Sequence, residues 1–412
     1  MKIVIASDSF KGSLTSAEVA DAVEAGIWVW QGVTDPLRAS GSGSPKNGTF
    51  CWGVLRGWHD LTPPTIPQTQ VTIVKMAVAD GGEGTAEAVT EALGGNLVTA
   101  TVSDPLGRPI TAQYGIASID GSQTAIIEMS AASGLPLLSP AERNPLKTSS
   151  FGTGELILDA LDRGCTNFYI GIGGSATNDG GMGMMYALGA IFRDAQGNEL
   201  PGRGCDLEAV ESIDLSRLTP AIKLASFTVA CDVNTPFCGP EGAAAVFAPQ
   251  KGAQPGDIPK LEQGMEHFAQ KVMEYTGVNI RDLAGAGAAG GLGGALKAFL
   301  GAELKSGSEM VLEAIGFDKH LKDADLVITG EGRADNQTPK GKTAAAVLRH
   351  AKANGVPAIL VAGKVNHCPQ LDDMGFEALL QAAPEGQDIA TSLRKDVARE
   401  NIIHAITKYF GI

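Results

Sequence analysis

Residues 168–191 read FYIGIGGSATNDGGMGMMYALGAI, and this stretch shows how the chain is built. Its first part, Phe168–Gly171, is a short apolar run typical of a buried strand, and Met182–Ile191 is predicted to be helical. The loop between them, Gly171–Gly181, consists mostly of glycines and small polar residues. Backbone N–H groups in such a loop, at the start of a helix, can hold a phosphate group. The alternative is a tight turn without a ligand, because Ser, Thr, Asn and Asp also cap helices.

The same alternation of strand and helix recurs along the chain. Further apolar runs rich in Val and Ile occur at Ile3–Ala6, Val71–Val78, Phe227–Ala230, Leu326–Thr329, Ala358–Ala362 and Ala378–Gln381. Apolar runs separated by helical stretches predict an α/β fold with buried strands. The first helix is predicted to begin at Thr15–Glu18, which has the sequence of a capping box.

A different pattern covers Leu97–Met129. Here apolar and polar residues alternate, and the turn pairs Leu106-Gly107 and Asp120-Gly121 interrupt them. Alternation with turns of this kind predicts an antiparallel meander. The meander is expected to belong to a second domain.

Composition excludes several classes of protein. Glycine accounts for 53 of the 412 residues, and the net charge of −14 repels a phosphate backbone or an anionic bilayer. We therefore expect no nucleic-acid partner and no membrane partner. No run of 18 apolar residues is present, and the N-terminal strand is too short for a signal peptide, so a cytoplasmic protein is expected.

Acidic residues stand beside glycine or a base at the ends of other predicted strands. These segments are Ser7–Lys11 (SDSFK), Asp80–Thr85 (DGGEGT), Cys231–Asn234 (CDVN) and Gly330–Asp335 (GEGRAD). Ligands of open α/β sheets lie beyond the carboxyl ends of the strands, so these loops are expected to converge with Gly171–Gly181. Their lysine and arginine can neutralise a phosphoryl group, and their carboxylates can hold Mg²⁺ or accept a hydroxyl proton. For any one carboxylate, capping or solvation is an equally good explanation.

Three other motifs are weaker. Gly171, Gly173 and Ala176, with Asp194 further on, imitate a dinucleotide fingerprint, but glycines 180 and 181 fall where its helix should already run. Residues 341–343 (GKT) are not a Walker A motif, because Asn336 occupies its first glycine position. The glycine-rich segment 285–294 is either a phosphate loop, a place of close helix packing or a hinge.

Taken together, these motifs resemble the bacterial-type glycerate kinase family. The resemblance rests on KIVIA with DSFK near the start, ADGGEGT, GTGE, the 171–181 loop, ACDV, QKG, the 285–291 segment and ITGEG, in family order from residue 1 to about 410. It implies a kinase that uses ATP and Mg²⁺, with two α/β domains and an active-site cleft between them. One domain is expected to be Rossmann- or flavodoxin-like and to combine 1–80 with 285–412, and the other, 81–284, to have a mixed sheet.

The resemblance also implies the site. The substrate- and phosphate-binding residues are expected to be Asp8, Ser9, Gly81, Gly82, Glu83, Gly173, Gly174, Ser175, Asn178, Asp179, Gly330, Glu331 and Gly332. The catalytic candidates are Asp80, Asp232, Lys11 and Arg333, and the metal candidates are Asp335 and Glu331. The resemblance does not fix the catalytic base. Our hypothesis from the residues is that the base is either Asp80 or Asp232, since a carboxylate is needed near the attacking hydroxyl of glycerate. Either Lys11 or Arg333 would meet the carboxylate of glycerate.

The implied reaction converts glycerate to phosphoglycerate, with the 2-phosphate as the expected product. Phosphorylation at the 3-position, the enantiomer used and assembly into a homo-oligomer stay open. The alternatives are an NAD-linked hydroxyacid dehydrogenase and a non-catalytic nucleotide-sensing protein.

The segment Trp28–Gln70 departs from the family pattern. It holds all four tryptophans, five prolines and six glycines, without helical or strand periodicity, and is predicted to be a loop. Our hypothesis is that most of it is not functional and was retained through a gene-model or splicing error. The alternative is a lid or a partner-binding loop. A peptide of the native protein that spans Trp30 to Trp58 would refute the hypothesis.

Overall fold

The computed structural model describes residues 1–33, 70–78, 84–340 and 343–411. The chain divides into two compact units, one formed by Met1–Asp80 with Leu312–Ile412 and the other by Gly81–Val311. Residues 285–311, which the sequence assigned to the first domain, therefore pack into the second unit. The reason is a strand at Glu303–Lys305, which pairs with a strand of that unit.

The elements are numbered in chain order within the described ranges. The strands are β1 (Lys2–Ser7), β2 (Thr72–Ala77), β3 (Asn96–Ser103), β4 (Pro109–Ile119), β5 (Ser122–Glu128), β6 (Asn167–Gly171), β7 (Ile191–Arg193), β8 (Ser212–Asp214), β9 (Ser226–Ala230), β10 (Glu303–Lys305), β11 (Leu326–Ala334), β12 (Ala358–Val365) and β13 (Ala378–Gln381). The helices are α1 (Ser16–Trp30), α2 (Thr85–Ala92), α3 (Ser130–Ser133), α4 (Phe151–Asp162), α5 (Met182–Ala187), α6 (Ala243–Phe247), α7 (Ile258–Thr276), α8 (Leu292–Leu300), α9 (Gly307–Ala314), α10 (Phe317–Leu321), α11 (Thr343–Ala353), α12 (Pro369–Asp372), α13 (Ile389–Ser392) and α14 (Lys395–Gly411). Short 3₁₀ turns occur at Leu135–Leu137, Gly204–Ala209, Pro220–Leu224, Pro249–Lys251 and Ala288–Gly291. None of the helices in these ranges combines the length and the apolar character that crossing a membrane requires.

The first unit is built on a parallel sheet with the described strands in the order β13-β12-β11-β1-β2. Alternate residues of β12 enter two different cores: Ile359 and Val361 pack with α1 and α14, while Leu360 and Ala362 face the opposite core. A strand buried on both faces has a continuous run of apolar residues, and this run allowed β12 to be predicted from the sequence. The strand order reverses between β1 and β11, and this reversal creates a topological switch point.

Helix α1 begins where the sequence predicted. The Thr15 hydroxyl accepts a hydrogen bond from the Glu18 N–H at 3.2 Å, and the Glu18 carboxylate accepts one from the Thr15 N–H at 2.8 Å. The helix continues to Trp30, so the prediction of a loop from residue 28 onward is wrong for its first residues. The reason is packing, since the Trp30 ring stacks on Phe410 with centroids 4.9 Å apart. Residues 34–69 of the predicted loop lie outside the described residues.

The second unit contains a mixed sheet with the described strands in the order β10-β9-β6-β5-β4-β3. Strands β5, β6, β9 and β10 are parallel, and β3, β4 and β5 form the predicted antiparallel meander. The turn between β4 and β5 consists of Asp120 and Gly121, with φ of 51° and 82°. Two positive φ angles are what a two-residue hairpin needs, and Asp-Gly supplies them. The prediction of an α/β fold with one parallel and one mixed sheet is thus confirmed.

Candidate active site

The switch point of the first unit brings together the loop after β1 and the end of β11. The Asp8 N–H donates to the Gly330 carbonyl at 3.0 Å. One Asp8 carboxylate oxygen accepts from the Ser9 N–H at 2.6 Å, and the other accepts from the Thr343 hydroxyl at 3.2 Å. Position 330 requires glycine, because a Cβ there would lie 2.6 Å from the Ser7 hydroxyl. The sequence-predicted residues Asp8, Ser9 and Gly330 are therefore neighbours.

The remaining residues of β11 extend this cluster. Glu331 is 6% exposed, and its carboxylate accepts a hydrogen bond from the Thr338 hydroxyl at 2.6 Å. Thr338 also accepts from the Asp335 N–H at 3.1 Å, so it links the two predicted metal ligands. The exposed Arg333 guanidinium lies 3.0 Å from the Asp335 carboxylate. Thr338 was missed by sequence reasoning, because nothing in its local sequence marks a partner for a buried glutamate.

Lys11 follows β1 and is exposed. A Cβ placed on Gly332 would lie 3.5 Å from the Lys11 backbone nitrogen, so these two predicted residues are also close. The switch point therefore brings Lys11 and Arg333 close to three acidic residues, Asp8, Glu331 and Asp335.

In the second unit, the loop after β6 exposes only its first part to solvent. Gly173 and Gly174 are exposed, and Ser175 is 7% exposed. The Gly174 carbonyl accepts from the Leu135 N–H at 2.8 Å, so the exposed turn is fastened to the segment that follows β5. Gly174 has a φ of 71°, which favours glycine.

The second half of this loop is interior. Asp179 is fully buried, and its carboxylate accepts hydrogen bonds from the Ser150 N–H (2.6 Å) and hydroxyl (2.7 Å) and from the N–H groups of Gly181 (3.1 Å) and Gly183 (3.2 Å). Burial raises the pKa of this carboxyl above its ordinary value of 3.8. Asn178 is also fully buried, and within the described ranges neither its amide oxygen nor its amide nitrogen has a hydrogen-bond partner. The part of this loop that solvent can reach is consequently the Gly173–Gly174 turn.

The glycine-rich segment 285–291 is a packing element. A Cβ on Gly287 would lie 2.0 Å from the Pro236 carbonyl oxygen, and one on Gly290 would lie 2.0 Å from the Thr177 carbonyl oxygen. Ala289 between them has a φ of 54°, which a side chain seldom adopts. The segment is buried, which favours close packing among the three roles that the sequence left open.

Two carboxylates stand at other strand ends of the second unit. Asp232 follows β9, is exposed, and accepts a hydrogen bond from the Gly307 N–H at the start of α9, at 2.9 Å. Glu128 ends β5 and accepts from the N–H groups of Ala86 (2.8 Å) and Gly84 (3.3 Å). Sequence reasoning missed Glu128, which caps α2 directly after the Asp-Gly-Gly-Glu segment. The predicted residues Asp80, Gly81, Gly82 and Glu83 themselves lie outside the described residues.

The carboxylates at the switch point suit Mg²⁺ in chemistry and number. Mg²⁺ in phosphoryl-transfer enzymes is held by one or two carboxylates together with phosphate oxygens. Glu331 and Asp335 supply two, although Asp335 would exchange its Arg333 contact for the ion. Within the described ranges, a group of three potential ligands forms only at Cys238, Glu262 and Glu266. Two members of that group are already engaged, since Glu266 pairs with Arg281 and Glu262 accepts from the Gly239 N–H.

The remaining sequence alternative, a dinucleotide fingerprint, is not supported at its acidic residue. Asp194 closes the turn after β7 by accepting hydrogen bonds from the N–H groups of Gln196 (2.9 Å) and Asn198 (2.8 Å). Its carboxylate is therefore occupied by its own turn.

In both units, charged side chains and exposed backbone gather at the carboxyl ends of parallel strands, as in α/β enzymes that act on small anionic ligands. The model of the glycerate kinase family matches residues 54–410. A glycerate 2-kinase from Escherichia coli (strain K12) is 45% identical over 375 residues, covering 91% of this chain and 87% of the relative. A glycerate kinase from Bacillus subtilis (strain 168) is 43% identical over 385 residues, covering 93% and 91%. A solved structure assigned as a glycerate kinase 2, from Salmonella typhimurium LT2, has a TM-score of 0.80 and 42% identity and covers 100% of this chain and 97% of that one.

The chain belongs to the glycerate kinase family and is an enzyme of that family. The resemblance deduced from its motifs is confirmed.

Proposed function

We propose that this enzyme transfers the γ-phosphoryl group of ATP to the 2-hydroxyl group of glycerate, giving 2-phosphoglycerate and ADP. The similarity to a glycerate 2-kinase supports the substrate and the position. In the reaction, a bond forms between the glycerate oxygen and the γ-phosphorus while the bond from that phosphorus to the departing ADP oxygen breaks. The hydroxyl proton passes to a protein carboxylate.

One observation carries the proposal. Strands β6 and β9 are parallel neighbours, and Gly171 pairs with Ala230 at their ends. The exposed Gly173–Gly174 turn begins two residues beyond the end of β6, and the exposed Asp232 lies two residues beyond the end of β9. This register combines backbone donors for a phosphoryl group with a carboxylate that can accept a proton. Asp232 is held at the strand end because its carboxylate accepts a hydrogen bond from the Gly307 N–H. Asp80 stays the second candidate for the base.

The switch-point residues support the binding of anions and of the metal. Lys11 and Arg333 offer the positive charges that the carboxylate of glycerate or the phosphates of ATP require. Asp335 and Glu331 would hold Mg²⁺, which when bound would screen the negative charge of the phosphates.

The test is a coupled assay with the purified enzyme. ADP release that requires glycerate shows the kinase reaction. No nicotinamide cofactor is added to the enzyme, so a dehydrogenase reaction cannot contribute. The product is then supplied to enolase with and without phosphoglycerate mutase, and enolase flux without the mutase identifies 2-phosphoglycerate. Flux that requires the mutase would assign the 3-position instead, and ATP binding without ADP release would refute the kinase proposal.

A further inference from the structure

A buried lysine lies beneath the loop after β6. Lys251 is 2% exposed, and its ammonium group donates a hydrogen bond to the Thr177 carbonyl at 2.6 Å. It ends the 3₁₀ turn Pro249–Lys251 and precedes Gly252, which has a φ of 93°. A Cβ on Gly252 would lie 2.2 Å from the Arg143 carbonyl oxygen, so the backbone behind the lysine is closely confined.

Burying an ammonium group is costly unless the group is paired. Burial lowers the pKa of Lys251 to about 7, and the nearby Asp179 carboxylate acts in the opposite direction. A buried amino group contributes less to stability than a well-packed apolar side chain of similar size, so stability alone does not account for this lysine. Its contact with a backbone carbonyl points to a role in placing the loop.

The loop is fastened at successive residues. The Thr148 hydroxyl donates to the Ala176 carbonyl at 3.0 Å, Lys251 holds the next carbonyl, and Ser150 holds Asp179. Lys251 is the anchor that comes from furthest along the chain, and its donor is an amino group where the other two donors are hydroxyl groups. All three anchors act on the interior half of the loop, which continues directly into the exposed Gly173–Gly174 turn.

We propose that Lys251 is a positioning residue, whose hold on the Thr177 carbonyl sets the Gly173–Gly174 turn in the place where it meets the transferred phosphoryl group. This inference rests on the proposed kinase function. Lys251 does not touch substrate in this role; it acts through the loop backbone. Loss of the anchor then affects the transition state, where the phosphoryl group is held, more than the binding of glycerate.

Three variants test the inference in the full-length enzyme. Lys251→Met keeps the length of the side chain and removes the donor, whereas Lys251→Arg keeps a charged donor. Lys260→Met is the matched control, because Lys260 is exposed on α7 in the same unit. Circular dichroism establishes that each variant is folded before kcat and KM are measured.

We expect Lys251→Met to lower kcat by about 100-fold, since a small misplacement remote from the chemistry can cost that much. The KM for glycerate should stay within a factor of three, Lys251→Arg should recover part of kcat, and Lys260→Met should match the wild type. A folded Lys251→Met enzyme with wild-type kcat would overturn the inference, as would parallel losses in kcat and in glycerate affinity without recovery by arginine. If the methionine variant does not fold, Lys251→Leu, which also removes the donor, takes its place with the same expectations.

Amide hydrogen exchange separates failure of this inference from failure of the proposed function. In Lys251→Met, exchange in the peptide covering 171–181 should become faster, while exchange in β3 and β4 should not change. If the wild type does not phosphorylate glycerate but this local change occurs, the kinase proposal fails and the anchoring role of Lys251 stands. Unchanged exchange in 171–181 would refute the anchoring role whatever the activity.

Discussion

Replacing Asp179 by asparagine tests whether a buried carboxylate organises the loop after β6. One carboxylate oxygen accepts three hydrogen bonds, two from Ser150 and one from Gly183, and the other accepts one from Gly181. The amide nitrogen of asparagine can replace only one oxygen, and the less costly choice leaves the Gly181 N–H facing another donor. An unsatisfied buried N–H costs about 1–3 kcal/mol, so we expect Asp179→Asn to lower the free energy of unfolding by roughly 2 kcal/mol.

A double-mutant cycle with Ser150→Ala sharpens this prediction. The Ser150 hydroxyl donates to Asp179 and accepts from the Met184 N–H at 3.0 Å, so its removal also leaves a buried donor unpaired. In Asp179→Asn the Ser150 hydroxyl still donates, but to a neutral amide oxygen, and hydrogen bonds to charged groups are stronger by about 1 kcal/mol. Removal of the Ser150 hydroxyl should therefore cost less in the asparagine background, and the double variant should cost about 1 kcal/mol less than the sum of the single variants. Additive losses would show that the two side chains are not coupled. The exposed Asp162 at the end of α4 offers a control, and Asp162→Asn should change stability by no more than about 0.5 kcal/mol.

The pH dependence of these variants has a defined sign. Burial raises the pKa of Asp179 above 3.8, so the folded protein binds more protons than the unfolded chain at pH values between 3.8 and the folded-state pKa. The stability of the wild type relative to Asp179→Asn is therefore greatest at low pH and decreases as pH rises through the folded-state pKa, by at most about 1.4 kcal/mol per pH unit. Measurements between pH 4 and 6 stay below the pKa of Lys251. A difference that grows with pH would refute the reasoning.

Two spectroscopic probes distinguish unfolding of the two units. All four tryptophans precede residue 59 and belong to the first unit, so tryptophan fluorescence during urea unfolding follows the first unit. Circular dichroism follows the helices of both units. We expect the Asp179 and Ser150 variants to move the circular dichroism transition and to leave the fluorescence transition in place. Equal movement of both transitions would contradict a local effect.

Three further predictions concern the site. Asp232→Asn should lower kcat by roughly 100- to 10,000-fold, because a positioned base contributes that much, and normal turnover in steady-state assays would remove Asp232 as the base. Glu128→Gln replaces one of two accepting oxygens at the start of α2 and should destabilise that helix by about 1 kcal/mol, seen as faster hydrogen exchange in 85–92; unchanged exchange would contradict the cap. Asp335→Asn should raise the Mg²⁺ concentration required for half-maximal activity, and an unchanged Mg²⁺ titration would dismiss Asp335 as a ligand.

Local sequence was sufficient where the physical cause is local. The capping box of α1 lies within four residues, and the Asp120-Gly121 hairpin needs only two positive φ angles. The apolar runs of the sheets were readable because strands buried on both faces carry few polar residues. These features predicted the fold class and most strand positions.

The sequence was insufficient where partners come from distant parts of the chain. The composition of the segment from Trp28 predicted a loop, but Trp30 stays helical because Phe410 packs on it. The loop after β6 looked like one continuous phosphate site, and its burial depends on Ser150 and Lys251 from other segments. Thr338 is recognisable as part of the site only once Glu331 is seen to be buried.

The two-part origin of the first unit has a consequence for how the protein is made. Strand β1 is translated long before β11, one of its neighbours in the sheet, and Ile3 pairs with Leu326. At about 5–20 residues per second, a ribosome takes on the order of half a minute to reach that partner. During this interval the whole second unit emerges and can fold, while β1 and α1 keep apolar faces without their final cover. The nascent chain should therefore engage chaperones through its N-terminal segment, and release from them should follow the synthesis of β11.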